Sequence, residues 1–291
     1  MDAVPLLETR DLTIRFGGHV AVDDVSCAFR RGTLTAIVGP NGAGKTTYFN
    51  LISGQLRASA GAVLLKGEVI TGLSAPARAR RGLGRAFHLT NLFPSLSGLE
   101  NVRLAVQARA RTGLDFLTMA KRHDDLTERA HGYLARVKLG ERAAASAASL
   151  PHGDQRKLEV AILLALEPEI FMFDEPTAGM SVDEVPVILD LIEAIKSESD
   201  KTILLVEHKM DVVRRLADRV IVLHNGALVA DGEPAAVVAS PIVQEAYLGV
   251  RVASATPESA GQEQDEPPRK PKKKAKTPAR AKGKQGSRRK S

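Results

Sequence analysis

Two groups of residues in this chain have the types and spacing of phosphate chemistry. Gly39-Pro40-Asn41-Gly42-Ala43-Gly44-Lys45-Thr46-Thr47 fits the pattern G-x-x-x-x-G-K-[ST] and follows directly on the apolar run Leu34 to Val38. Glycines let such a loop curl around a polyphosphate with its N–H groups pointing inward at a helix N-terminus. Lys45 would then reach the β- and γ-phosphates, and the Thr46 hydroxyl would ligate Mg²⁺. The second group is Asp174-Glu175, which closes the apolar stretch Ile170 to Phe173. At the end of a strand, Asp174 can hold Mg²⁺ through its water shell while Glu175 activates an attacking water. Alone, two acids after a strand are more often a solvated strand end. Paired with the phosphate loop they form the second half of a site that would hydrolyse a nucleotide, with Mg²⁺ as its expected metal.

These groups need elements that hold them. Residues 6–38 alternate apolar and polar residues and end in an apolar run, which predicts strands. Tyr48 to Ile52 can continue the loop as a helix. From about 97 to 166 the chain is rich in Ala, Leu, Arg and Glu, the composition of packed helices, with amphipathic stretches at 105–117 and 123–139. The remainder alternates: strand 170–173, helix 185–195, strand 202–206, helix 210–217, then strand-like 219–223 and 227–230. Such alternation predicts an α/β fold with a parallel sheet covered by helices. No internal repeat is present, so the chain carries one copy of its unit.

At this point the chain resembles the ATP-binding subunits of ABC transporters over residues 6 to about 250. The resemblance implies a P-loop NTPase cassette: a RecA-like parallel sheet core, an N-terminal antiparallel β part, and an inserted helical subdomain at about 89–166, within a nucleotide-binding domain of residues 1–251. Phe16 sits where the family places an aromatic that stacks on adenine; an ordinary apolar strand residue is an equal reading. Ser149-Leu-Pro-His152-Gly153-Asp154-Gln155 looks like the signature loop, which in the family closes on ATP held by a second cassette. Glu175 to Asp183 looks like the segment linking the two sites, and Leu204-Leu-Val-Glu207-His208 ends a strand with the histidine that contacts the γ-phosphate and attacking water. A lone histidine at a strand end is ordinarily a surface residue, and only its place after the Asp174 block favours the role. Within the family, Gly84-Arg-Ala-Phe87, Thr90 to Pro94, Asp174 to Met180 and Ala246 to Gly249 are similar to importers of branched-chain amino acids and related polar solutes.

Two positions depart from the family's pattern. His88 stands where a glutamine usually ligates Mg²⁺; the ion prefers hard oxygen ligands, so either His88 acts through a water or its loop keeps only a mechanical role. Pro151-His152-Gly153-Asp154 replaces the commoner Ser-Gly-Gly-Gln, leaving the Gly153 N–H and His152 as donors. Asp154 is read as a helix cap pointing away from the nucleotide. Lys45, Thr46, Asp174, Glu175 and His208 all remain, so an active Mg-ATP hydrolase is expected.

Composition narrows the class further. The formal net charge of +7 is local: residues 252–291 carry twelve basic and four acidic side chains, while residues 1–251 carry 29 basic and 30 acidic ones. The body is thus close to neutral and gives no reason to expect a specific nucleic-acid partner. The tail lacks Leu, Ile, Phe, Tyr and Trp and is expected to be disordered; its basic run is either simply solvated or drawn to anionic lipid. Cys27 is the sole cysteine, which excludes an intrachain disulfide. The N-terminus does not read as a secretory signal, and no apolar run approaches the ~20 residues of a membrane helix. If the protein works at a membrane it must dock on something that spans it, and the resemblance implies a peripheral setting at the cytoplasmic face of the inner membrane. The partners that the resemblance implies are membrane-spanning permease subunits, a second ATP-binding subunit in a homo- or heterodimer, and, indirectly, a periplasmic solute-binding protein. The competing class is a soluble ATPase of the same family acting on ribosomes or DNA, although such proteins usually carry two cassettes or a long coiled-coil insertion.

Overall fold

The computed structural model describes residues 4–86, 92–110, 119–198 and 200–248. The chain opens with a hairpin of β1 (Leu7–Phe16) and β2 (His19–Phe29), antiparallel and bulged, with Phe16 opposite His19 at its tip. Then come β3 (Leu34–Val38) and α1 (Lys45–Ser53), followed by β4 (Ala60–Leu65) and β5 (Glu68–Val69). These last two join the hairpin in a four-stranded antiparallel sheet of order β2-β1-β4-β5. A short α2 (Ala75–Ala79) leads to β6 (Leu83–Ala86), and three longer helices follow: α3 (Gly98–Ala110), α4 (Met119–Arg136) and α5 (His152–Ala165).

From there strand and helix alternate, as the patterning predicts: β7 (Ile170–Asp174), α6 (Val185–Ser197), β8 (Thr202–Val206), α7 (Met210–Leu216), β9 (Arg219–His224) and β10 (Ala227–Gly232), closing with α8 (Pro234–Ala239) and α9 (Pro241–Leu248). Six strands form the second sheet in the order β10-β9-β3-β8-β7-β6. Five of them are parallel; β10 returns antiparallel to β9 as an edge, through a turn at Asn225-Gly226 where both residues have positive φ. The expectation of a parallel sheet thus holds for five strands, and the sixth departs because a two-residue turn can only reverse the chain.

The central strands are buried on both faces, which explains why they read as continuous apolar runs rather than alternating ones. Phe171, Phe173, Ile203 and Leu205 pack with the helices α3 to α6. Ile170, Met172, Leu204, Val206 and Ile37 face the other way, against α1 and the antiparallel sheet. The sequence reading missed β4, β5, α2, β6, α8 and α9, elements too short to set a period. It also starts the first amphipathic helix seven residues late, since α3 begins at Gly98. Among the described residues no helix is long and apolar enough to cross a membrane. The chain divides into two units, Met1–Val252 and Ala253–Ser291, and the second lies outside the described residues.

Candidate functional site

Sheet order decides what meets what. Strand β8 lies between β3 and β7, with Ile37 and Asp174 both opposite Val206 on its two sides. The carboxyl ends of these three parallel strands therefore deliver the phosphate loop, His208 and Asp174-Glu175 to one edge, where open α/β sheets bind their ligands. Two backbone bonds lock the junction: the Glu175 N–H donates to the Val206 carbonyl (2.9 Å), and the Glu207 N–H to the Ile37 carbonyl (3.4 Å).

The loop itself needs its glycines. A Cβ on Gly39 would stand 2.1 Å from the Leu223 carbonyl oxygen, and one on Gly44, where φ is +95°, would stand 2.4 Å from the Ala21 carbonyl oxygen. Gly44 caps α1 with no side-chain hydrogen bond, so the first N–H groups of the helix, Lys45 to Thr47, are left for an anion. Thr46 is exposed there and Asn41 and Gly42 are exposed on the loop, while Ala43 is buried beneath it. The Lys45 ammonium donates to the carbonyls of Gly39 (2.7 Å) and Pro40 (2.9 Å). Burial pulls its pKa below the usual lysine value, with the nearby Glu175 and Asp174 charges opposing that shift. At the far end of α1 the buried Arg78 guanidinium takes the carbonyls of Leu51 and Ile52 (2.7 and 2.6 Å), and burial lowers its pKa to about 10. The helix that starts with Lys45 and Thr46 is thus held at both ends.

Asp174 is buried, and Arg85 of β6 donates to its Oδ2 at 2.7 Å. Oδ1 is equally buried and has no hydrogen-bond partner. A hydroxyl at the helix start and a carboxylate with one uncommitted oxygen make an all-oxygen donor set, which fits Mg²⁺ held largely through waters and phosphates. Glu175 adopts φ +49°, a conformation that costs a non-glycine residue on the order of 1–3 kcal/mol and collects at functional positions. His208, about half exposed, has its Nδ1 3.9 Å from Glu175 Oε1 and 3.5 Å from Glu207 Oε2.

Glu207 carries a role that sequence reasoning did not assign. Its carboxylate is fully buried, accepts the Thr177 hydroxyl (2.6 Å) and the backbone N–H groups of His208 (2.7 Å) and Lys209 (3.2 Å), and so joins the chain after Glu175 to the turn bearing His208. A charged residue closing a run of four apolar ones was the available signal. Arg85 was quoted within Gly84 to Phe87, yet nothing local ties it to Asp174, 89 residues away.

Other expected site residues lie elsewhere. Phe16 is half exposed at the tip of the hairpin whose Ala21 abuts Gly44, a placement that does not suit a core residue. Gly153 starts α5 and packs on Glu184, whose carboxylate oxygen a Cβ would meet at 2.0 Å. His88 lies outside the described residues. The reading of Asp154 as a helix cap is incorrect: Pro151 occupies the N-cap without a side-chain bond, and Asp154, in the first turn, is an ion-pair acceptor for Arg142 and for Lys157 at 2.7 Å. Two cations therefore offset the charge that looked unfavourable in the sequence.

Comparison with known proteins agrees with this architecture. Residues 22–178 match the ABC transporter family, and residues 227–253 match the family described as branched-chain amino acid ATP-binding cassette transporter. The chain is 39% identical over 251 residues to the high-affinity branched-chain amino acid transport ATP-binding protein BraF of Pseudomonas aeruginosa, and 37% identical over 251 residues to LivG of Salmonella typhimurium. Each match covers 84% of this chain and 98% of the relative. Among solved structures, the ADP conformation of MJ1267, an ATP-binding cassette of an ABC transporter, aligns with a TM-score of 0.72 at 28% identity, covering 84% of this chain and 99% of that one. A phosphate loop and an acidic strand end meeting at one sheet edge, in a chain that matches these relatives along nearly their whole length, make this protein a member of the ABC transporter family of ATP-binding, ATP-hydrolysing cassettes.

Proposed function

We propose that this chain is the energy-coupling subunit of an importer for branched-chain amino acids or a related small polar solute. The observation that carries the reading is the convergence of Lys45, Asp174, Glu175 and His208 on adjacent strand ends, in a chain whose relatives are named for branched-chain amino acid transport. Such a subunit works at the cytoplasmic face of the membrane, docked on permease subunits that span it and paired with a second cassette; the solute-binding protein acts on the far side. The relatives favour this class over a soluble ATPase of ribosomes or DNA.

In this reading the N–H groups of Gly42 to Thr47 and the Lys45 ammonium bind the phosphates, and Phe16 stacks on adenine. Thr46 and Asp174 would hold Mg²⁺, which when bound neutralises charge developing between the β- and γ-phosphates. Glu175 accepts the proton of the attacking water, and His208 orients that water from the neighbouring strand. Gly153 would offer its N–H to the nucleotide of the partner cassette. Glu175→Gln tests the mechanism: it is expected to abolish hydrolysis while Mg-ATP binding, followed by equilibrium titration, persists. Hydrolysis that continues unchanged would remove Glu175 from its role. Copurification with integral membrane proteins supports the transport assignment, and copurification with ribosomes or DNA opposes it.

A further inference from the structure

We propose that Arg85 is a positioning residue for the metal-binding carboxylate, holding Asp174 by one oxygen so that the other is presented to the ion's water shell. The proposal rests on the reading of Asp174 as that carboxylate. Its basis is a guanidinium buried to 7% side-chain exposure that does two things at once. Its Nη2 donates to Asp174 Oδ2 at 2.7 Å, while its Nη1 reaches Asn50 Oδ1 (2.6 Å), Ser53 Oγ (2.9 Å) and Gln55 Oε1 (3.0 Å), all at the end of the helix that begins with Lys45 and Thr46. The guanidinium carbon also lies 5.0 Å from the Phe49 ring centroid, a cation–π distance. Arg85 therefore clamps the acidic strand end to the phosphate-loop helix, and it leaves Asp174 Oδ1 as the one oxygen of that carboxylate without a hydrogen-bond partner.

An ion pair that served stability alone would not need this division of the two oxygens. The planar fork matters: an ammonium is a compact charge that cannot span Asp174 and the end of α1 together. Partners that orient a metal ligand typically influence metal affinity about 10–100-fold. Removing the cation would by itself favour Mg²⁺ electrostatically. The lost orientation is expected to outweigh that gain.

The test measures the dissociation constant of a fluorescent ATP analogue in EDTA and in Mg²⁺, the ratio of the two reporting the metal's contribution without relying on turnover. In Arg85→Met the ratio is expected to fall about tenfold, whatever change the loosened end of α1 brings to the EDTA value itself; Arg85→Lys is expected to recover part of the loss. A folded Arg85→Met protein whose ratio is unchanged or larger overturns the proposal, whatever its unfolding temperature. If Arg85→Met does not fold, as judged by circular dichroism, Arg85→Lys decides on the same criterion. Asp174→Asn separates the proposal from its foundation. A ratio that Asp174→Asn lowers and both Arg85 variants leave intact defeats the proposal alone, and a ratio that Asp174→Asn leaves intact defeats the reading of Asp174.

Discussion

Thr177→Val probes whether the buried Glu207 carboxylate couples the strand ends that bear Glu175 and His208. Thr177 and Glu207 are both fully buried, and the hydroxyl donates to Oε1 at 2.6 Å. The substitution keeps the shape of the side chain and removes that donor, while the backbone N–H groups of His208 and Lys209 still serve Oε2. A hydrogen bond to a charged group contributes about 1.5–3 kcal/mol. The methyl that replaces the hydroxyl returns at most about 0.8 kcal/mol of burial. The net cost is therefore about 1–2 kcal/mol, which for a domain of this size lowers Tm by about 2–8 °C. Thermal unfolding followed by circular dichroism reads the stability, and steady-state ATP hydrolysis reads the coupling. Hydrolysis is expected to drop about tenfold, because Glu175 and His208 sit on the two segments the bond joins and small misplacements are costly. Thr177→Ser, which keeps the donor, should behave like the wild type. Wild-type stability and hydrolysis in Thr177→Val would refute the coupling.

Three further outcomes follow from the same contacts. Gly44→Ala is expected to weaken nucleotide binding about tenfold or more, since the added Cβ meets the Ala21 carbonyl oxygen at 2.4 Å in a left-handed backbone; titration with a fluorescent nucleotide checks it, and unchanged affinity would contradict it. Burial, opposed by Arg219, pushes the Cys27 thiol from 9.0 up to about 11. A folded-state value above the unfolded one favours the protonated form, so stability is complete below about pH 9 and declines as pH rises toward 11, by about 2–3 kcal/mol. Urea unfolding across that range should show a shallower decline in Cys27→Ala. Arg142→Ala should cost no more than about 1 kcal/mol in urea unfolding, because Arg142 is 54% exposed and Lys157 still holds Asp154; a loss well above that would mean the pair organises the start of α5.

The features legible in the sequence are those that are local along the chain. The phosphate loop, its preceding strand, the acidic end of β7 and the alternation after residue 170 are each written in consecutive residues, because a glycine at positive φ, a helix start or a doubly buried strand makes its demand on immediate neighbours. Family likeness then supplied roles for Phe16, Gly153 and His208. Tertiary structure decided which of these elements meet. The position of β8 between β3 and β7 brings His208 within 3.9 Å of Glu175. The partners of the buried charges were likewise invisible: Arg85 finds Asp174 across 89 residues, Thr177 finds Glu207 across 30, and Asp154 finds Arg142 rather than its own helix terminus. A charge removed from water must find a counterpart. Composition shows that such a charge exists, whereas packing of the sheet and its helices decides which group stands beside it.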